Sequence, residues 1–392
     1  MRIEECPKMT SMVSSNENNL GGTTNADIDD HHYSHLFCQP QKMSFGKLKE
    51  LITSQNPFCG HKVDLSCFNG LQQLIISKYE GNMSLFSSSI ARNLVTLKRL
   101  YIHECDEIIQ VIKDEEDKAV STGERNHQFP NLQELHLFRL PKLVSFCEWN
   151  CDVELPSLRF VNIRGCPNIK NFSLAPNLED FRTDLNNYLE VGVKVPFDSL
   201  KKLAIEMDKN PLYCYKIPVA LFSGLEELRI YYYHGSMSLF SSSIAENLVN
   251  LKKLSIWNCD EMVQVIDDEE EKAVSGDGQR ATLLFPKLQE LRLYWLSKLE
   301  SFCEWKLDVE LPSLRILCIH ECPSMKYFTL GSIITPNLKT AEIHQRHFGA
   351  KKDLNVMLQK HLAREKENQE SEKKSSAEDQ ENKAEIEEEQ NS

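Results

Sequence analysis

The feature that most constrains this chain is an apolar pattern, LxxLxL, in which the first, fourth and sixth positions are aliphatic. Clear copies begin at Leu71, Leu97, Leu132, Leu158, Leu200, Leu225, Leu251, Leu288 and Leu314. Weaker copies begin at Leu48, Leu178 and Leu338. Most copies start 20 to 26 residues after the previous one, and two longer steps of 35 and 37 residues indicate inserts. Self-similarity at such a period is the signature of a chain built from repeated structural units.

Each copy of the pattern predicts one short strand. Apolar residues two positions apart point to the same face of a strand, and parallel strands that stack on one another bury that face. Steps of this length each correspond to one leucine-rich repeat, and about twelve repeats are enough for a self-supporting solenoid. We therefore predict an α/β repeat fold, a leucine-rich-repeat solenoid with a parallel concave sheet and about twelve irregular repeats.

Prolines and cysteines mark the two ends of the predicted strands. Proline, which lacks the N–H needed to continue a helix, stands two residues before the leading leucine in six copies: Pro130, Pro156, Pro176, Pro286, Pro312 and Pro336. Cysteine stands eight residues after it in four copies: Cys105, Cys166, Cys259 and Cys322. We expect these small side chains to turn inward as each strand ends. The alternative, that the thiols are metal ligands or nucleophiles, lacks a nearby base or paired ligand.

The repeats themselves lie in a duplicated block. NLVTLKRLYIHECDEIIQVIKDEE, residues 93–116, returns as NLVNLKKLSIWNCDEMVQVIDDEE, residues 247–270, and the similarity extends over 71–172 and 225–328. The predicted solenoid covers residues 44–350. We expect a poorly ordered segment at 1–43, a helix at 351–365 with Leu354, Leu358 and Leu362 on one side, and an acidic disordered tail at 366–392.

Composition excludes several classes of function. The net charge of −13 does not favour nucleic acid, and no apolar run is long enough for a signal peptide or a membrane span. The 13 cysteines form no CxxC pair, which disfavours a zinc cluster or a disulfide framework. We expect a cytoplasmic protein with reduced thiols, and no metal, cofactor, membrane or small-molecule substrate. No residues have a diagnostic catalytic spacing, so we predict a non-enzymatic protein.

The residue pattern of the repeats resembles that of a known family. Each block contains the sequence NLVxLKxLxIxxCDExxxVI, then an acidic insert, then FPxLQELxLxxLxKLxSFCEW and finally LPSLRxxxIxxCPxxKxF. This succession is similar to the leucine-rich-repeat region of plant nucleotide-binding disease resistance proteins of the coiled-coil class. The resemblance covers about residues 45–350. It implies recognition of pathogen effectors, or of host proteins that effectors modify, and regulation of a nucleotide switch.

The resemblance does not extend to nucleotide binding. Such receptors carry a GxxxxGK[ST] loop, whereas the only Gly-Lys here, Gly46-Lys47, is followed by Leu48 and opens a repeat. The chain is therefore either a fragment of a receptor or a free-standing repeat protein. A ubiquitin-ligase substrate adaptor is a rival interpretation, but residues 1–43 do not supply the F-box-like helices it would need. A regulatory fragment that acts on a separate nucleotide-binding immune receptor is a second rival.

Candidate binding residues are those that alternate with the buried leucines and face outward. Six residues after the leading leucine, Tyr231, Trp257 and Tyr294 form a column on adjacent repeats, flanked by Arg229, Arg292 and His320. Aromatic residues and arginine are typical of binding hot spots. A weaker group contains Tyr101, His103, His136 and Phe138. The alternative, that these rings only stack on each other to stabilise the sheet, remains open. We expect protein partners at this face: a pathogen effector, a guarded host protein or an immune-receptor domain.

Overall fold

The structure is a computed structural model that describes most of the predicted repeat region. The described residues are 49–54, 68–113, 129–147, 155–169, 177–184, 199–206, 222–234, 237–267, 282–303, 308–344, 346–349 and 354–360. The segments expected at 1–43 and 366–392 lie outside them, as do Leu362 and most of both acidic inserts. The chain divides into two compact units, Met1–Ile205 and Glu206–Ser392.

The first unit contains a long parallel sheet and a short one. In chain order its elements are β1 (Glu50–Thr53), β2 (Gln73–Ser77), β3 (Ser84–Ser87), α1 (Ser88–Asn93), β4 (Arg99–His103), β5 (Gln110–Lys113), β6 (Glu134–Phe138), β7 (Ser145–Cys147), β8 (Phe160–Arg164), β9 (Asp180–Thr183) and β10 (Lys202–Glu206). The long sheet has the order β1-β2-β4-β6-β8-β9-β10, and every neighbouring pair is parallel. The short sheet has the order β3-β5-β7.

The second unit repeats this plan. Its elements are β11 (Glu227–Tyr231), β12 (Ser238–Ser241), α2 (Ser242–Asn247), β13 (Lys253–Trp257), β14 (Gln264–Asp267), β15 (Thr282–Leu284), β16 (Glu290–Tyr294), β17 (Ser301–Cys303), β18 (Asp308–Glu310), β19 (Ile316–His320), β20 (Ile333–Ile334), β21 (Thr340–Ile343) and β22 (Arg346–Gly349). The long sheet runs β11-β13-β16-β19-β21 in parallel, and β22 adds to β21 in the antiparallel direction. Two short sheets have the orders β12-β14-β17 and β15-β18-β20.

Every copy of the LxxLxL pattern forms one strand of a long sheet, and each of these strands begins two residues after the leading leucine. The inward positions are fully buried, as for Leu100 and Ile102 in β4 and for Leu254 and Ile256 in β13. Because burial alternates along these strands, one face of each long sheet supports the core and the other, which we call the outer face, remains partly exposed. The predicted repeat fold with a parallel sheet is confirmed.

The cysteines at the strand ends turn inward. Cys105, Cys166, Cys259 and Cys322 are all buried. The Cys259 thiol donates a hydrogen bond to the Trp257 carbonyl over 3.2 Å, and the Cys105 thiol does so to the His103 carbonyl over 3.3 Å. Burial raises the pKa of the Cys259 thiol to about 12, so it stays protonated. The expectation that the thiols are reduced is corrected at Cys147, which is disulfide-bonded. Disulfide formation depends on the separation of two cysteines in space, which counting cysteines does not reveal.

The residue directly after many of the strands has a left-handed backbone. Positive φ occurs at Lys78, Glu104, Arg139, Gly165, Tyr232, Asn258, Trp295 and Glu321. Its N–H continues the hydrogen-bond ladder, as where the N–H of Trp295 donates to the His320 carbonyl over 2.9 Å. These bonds offset the strain of a left-handed residue, which is on the order of 1–2 kcal/mol. We call this site the turn position.

Two kinds of helical element complete the repeats. The helices α1 and α2 each begin after a serine, Ser87 or Ser241, whose hydroxyl accepts a hydrogen bond from a backbone N–H of the first turn. Residues 354–360 are helical, with Leu354 and Leu358 buried. Asn355 there accepts a hydrogen bond from the N–H of Phe328 over 2.7 Å and donates one to the Thr329 carbonyl over 2.9 Å. These helical residues thus contact the segment between β19 and β20.

Candidate functional site

The predicted aromatic column lies on the outer face of the second unit. Strand register places Tyr231 beside Trp257, Trp257 beside Tyr294, and Tyr294 beside His320. The ring centroids of Tyr231 and Trp257 are 6.2 Å apart, and those of Trp257 and Tyr294 are 4.3 Å apart. The His320 ring follows at 5.1 Å from Tyr294. Four side chains from four successive strands therefore form a continuous row.

A fifth ring, Trp295, joins this row from the turn position after β16. Its centroid lies 5.7 Å from that of Trp257 and 5.8 Å from that of Tyr294, and the residue is 49% exposed. Sequence reasoning missed it because only positions inside the strand were taken as outward facing. The signal was present in Tyr294-Trp295, an aromatic pair at the strand end. We call Tyr231, Trp257, Tyr294, Trp295 and His320 the aromatic cluster.

Two polar groups of the aromatic cluster, on Tyr294 and Trp257, are shielded from solvent. Burial, followed by the hydrogen bond and charge of Cys318, raises the pKa of the Tyr294 hydroxyl to about 12, so this side chain is neutral. The indole Nε1 of Trp257 is buried and has no hydrogen-bond partner among the described residues. A surface made largely of aromatic rings, with the His320 ring 3.4 Å from the Glu342 carboxylate at one end, is suited to binding by contact and desolvation.

The predicted arginines lie beside the aromatic cluster, and each is paired with a carboxylate on its own strand. Arg229 Nε donates to Glu227 over 2.7 Å, and Arg292 Nη2 donates to Glu290 over 3.3 Å. Lys253 Nζ lies 3.2 Å from the other oxygen of Glu290. The lysine and both glutamates occupy the first outward position of their strands, which the sequence columns did not include. Rings therefore lie at the strand ends, and charges lie at the starts and middles of the strands.

In the first unit, the rings of the weaker predicted group are arranged differently from those of the aromatic cluster. Tyr101 stacks on His136 with ring centroids 4.1 Å apart, and His136 lies 5.8 Å from Phe138. The row continues to Phe160, 5.0 Å from His136. Burial, and then the charge of Arg182, lowers the pKa of His136 to about 4. His103 makes no ring contact with another described residue, so the structure brings together only part of this group.

The described ranges contain no group of three or more His, Cys, Asp or Glu side chains that could hold a metal ion. None of the helices described is long and apolar enough to cross a membrane.

Comparison with known protein families assigns the repeats. The family model of plant disease resistance protein RPS2-like leucine-rich repeats matches residues 41–182 and 197–340, which is most of the chain. The chain belongs to this family. The predicted resemblance to plant disease resistance proteins is confirmed, and membership makes the chain a defence-related recognition module of the leucine-rich-repeat type.

A leucine-rich-repeat protein of Leptospira interrogans is among the similar solved structures, with 16% identity, a TM-score of 0.30, and coverage of 74% of this chain and 78% of that chain. No curated protein sequence matches the chain significantly. The family assignment therefore rests on the sequence of the repeats.

Proposed function

We propose that this chain recognises a protein partner through the aromatic cluster of its second unit, as a sensor of a pathogen effector or of a guarded host protein in plant defence. The observation that carries the proposal is the contiguity of the five rings. Single exposed apolar residues are normal on protein surfaces, whereas a contiguous patch is typical of an interaction site. Family membership supports the defence setting.

The partial exposure of the rings supports binding over a purely structural role. Rings that served only to stack would gain most from full burial, yet Trp295 is 49% exposed and Tyr232, at the equivalent turn position after β11, is 46% exposed. Tryptophan and tyrosine present large, rigid contact surfaces, so a partner that covers them gains hydrophobic contact at a small entropic cost.

The experiment replaces Tyr231, Trp257 and Tyr294 with serine in the full chain. We expect loss of partner capture from plant extract while the chain still unfolds cooperatively at a somewhat lower temperature, because the three residues make five ring pairs that contribute only about 0.2–1 kcal/mol each. The comparison variant replaces Tyr101, His103 and Phe138, the weaker predicted group of the first unit. Because His103 makes no ring contact with another described residue and this group lacks the five contiguous rings, we expect the variant to keep most of the capture, and an equal loss of capture would contradict the assignment to the second unit. If the second-unit variant unfolds instead, the column is structural and the proposal fails.

The same experiment distinguishes the proposed function from its two rivals. A regulatory fragment would act on a nucleotide-binding immune receptor, so its captured partner would be a plant receptor rather than an effector or a guarded host protein. A ubiquitin-ligase adaptor would instead capture ligase subunits. Identification of the captured protein by mass spectrometry distinguishes these outcomes from the proposed one.

A further inference from the structure

The outer face of the second unit has a step in side-chain size next to the aromatic cluster. Ser255 lies at the centre of β13, and strand register places Arg229 directly on one side and Arg292 directly on the other. Since neighbouring strands are about 4.8 Å apart, the two arginine Cα atoms are separated by about 10 Å with only a serine between them. Lys253 and Trp257 precede and follow Ser255 on the same face. We call this place the Ser255 notch.

Cations dominate the exposed rim of the notch. The side chains of Arg229, Lys253 and Arg292 are 42%, 46% and 39% exposed. Their two carboxylate partners are less exposed, with Glu227 15% and Glu290 22% exposed. Because Glu290 is shared by Lys253 and Arg292, three positive charges face two negative ones. The notch therefore carries a local positive excess on a chain whose net charge is −13.

The equivalent place in the first unit has neither the step nor the charge. Tyr101 stands where the second unit has Ser255, and its neighbours on the adjacent strands are Ile75 and His136. The Tyr101 ring stacks on His136, so it covers the strand rather than leaving it open. The notch is thus a property of the second unit, where it adjoins the rings.

The distance between notch and rings limits how a partner can bind. Ser255 and Trp257 are two residues apart on one strand, which places them about 7 Å apart along the sheet. An extended segment repeats its side chains on one face at the same interval of two residues. A carboxylate between two arginines can form charge-assisted hydrogen bonds, which are stronger than neutral ones.

We propose that the partner presents an extended segment in which an acidic side chain enters the Ser255 notch between Arg229 and Arg292, and an aromatic or large aliphatic side chain two residues away packs on Trp257. The contact with Trp257 rests on the function proposed above. The acidic contact is additional to it, and the two can fail separately.

A displayed library of random twelve-residue peptides, selected on the full chain, tests the proposal. We expect the selected peptides to contain Asp or Glu two residues from Trp, Tyr, Phe or Leu. Affinity of a selected peptide should fall by about tenfold for the Arg229→Gln, Arg292→Gln double variant, because charge-assisted bonds are lost. Ser255→Tyr should weaken binding to a similar extent, since it fills the notch with the side chain that the first unit tolerates. Arg99→Gln in the first unit is the control and should leave the affinity unchanged.

A double-mutant cycle assigns the contact. Changing the acidic residue of the peptide to its amide should weaken binding to the wild-type chain and have little further effect on the double arginine variant. Selected peptides without an acidic residue, or equal affinities for the wild-type and double variant, would overturn the acidic contact and leave the aromatic one standing. If no peptide is selected, or if Trp257→Ser binds the selected peptides as well as wild type does, both proposals fail.

Discussion

The two duplicated blocks of this chain, residues 71–172 and 225–328, share their buried residues and differ on their outer faces. Leu100, Ile102 and Cys105 of the first have their counterparts in Leu254, Ile256 and Cys259 of the second, and all are fully buried. In the first block the stacked rings start at the middle of the strands, with Tyr101 on His136. In the second they lie at the strand ends, with Trp257 on Tyr294.

The turn position shows how this shift is built. In the first block Glu104 and Arg139 occupy successive turn positions and form an ion pair over 3.0 Å. In the second block the same two places hold Asn258 and Trp295, and the tryptophan ring packs against the aromatic cluster. Both backbones are left-handed at these residues, so the change is confined to side chains. Close packing restricts inward residues to a few volumes, whereas outward residues are free of that restriction.

The largest expected effect tests whether the two cores are equivalent. Leu100→Ala and Leu254→Ala each remove a fully buried side chain from the same place in the repeat. We expect each to lower the free energy of unfolding by about 3 kcal/mol, because the loss of apolar contact adds to the cost of a cavity. Urea unfolding of both variants measures it. Costs that differ by more than about 1 kcal/mol would show that the duplicated cores are packed differently.

A smaller effect is expected at the turn position after β8 and β19. Gly165 has φ +65°, and a Cβ added there would lie 3.1 Å from the Arg139 Cα. Gly165→Ala should therefore cost about 1–2 kcal/mol of unfolding free energy. Its counterpart Glu321 already carries a Cβ at φ 52°, so Glu321→Ala should change stability by less than about 0.5 kcal/mol. Similar melting temperatures for the two variants would contradict this account.

The smallest effect depends on pH. The pKa of His136 is lowered to about 4 in the folded chain. Between this value and the ordinary pKa of histidine, the unfolded chain binds more protons than the folded chain, so a fall in pH favours unfolding. Stability due to the neutral ring is full above its unfolded pKa and is lost as the pH falls toward 4. Relative to His136→Gln, the wild type should lose about 1 kcal/mol from pH 7 to pH 5, allowing for solvent screening.

The second block provides the control for this pH effect. Arg292 occupies the place of His136, so its replacement removes no imidazole from the sheet. The difference in unfolding free energy between the wild type and Arg292→Gln should accordingly stay nearly constant from pH 7 to pH 5. A parallel loss in both comparisons would assign the effect to other groups.

Much of the fold was predictable because the repeat pattern directly encodes which residues are buried. Leu71, Leu97 and the other leading leucines gave the number and start of the sheet strands, and Cys105 or Cys259 marked where a strand ends. The site was less predictable. The column of Tyr231, Trp257 and Tyr294 follows from strand alternation, whereas Trp295 and the salt-bridged Lys253 were missed because the turn position and the first outward position were not considered.

The sequence by itself determined the repeat, its family and the residues that face inward, since alternation along a strand is a local property that spacing records. Only the tertiary structure decided which side chains outside the predicted aromatic column meet it. The left-handed backbone at Trp295 turns its ring toward Trp257, and strand register sets Ser255 between Arg229 and Arg292. Such contacts join residues from different repeats, so they depend on register and side-chain conformation, which no single repeat specifies.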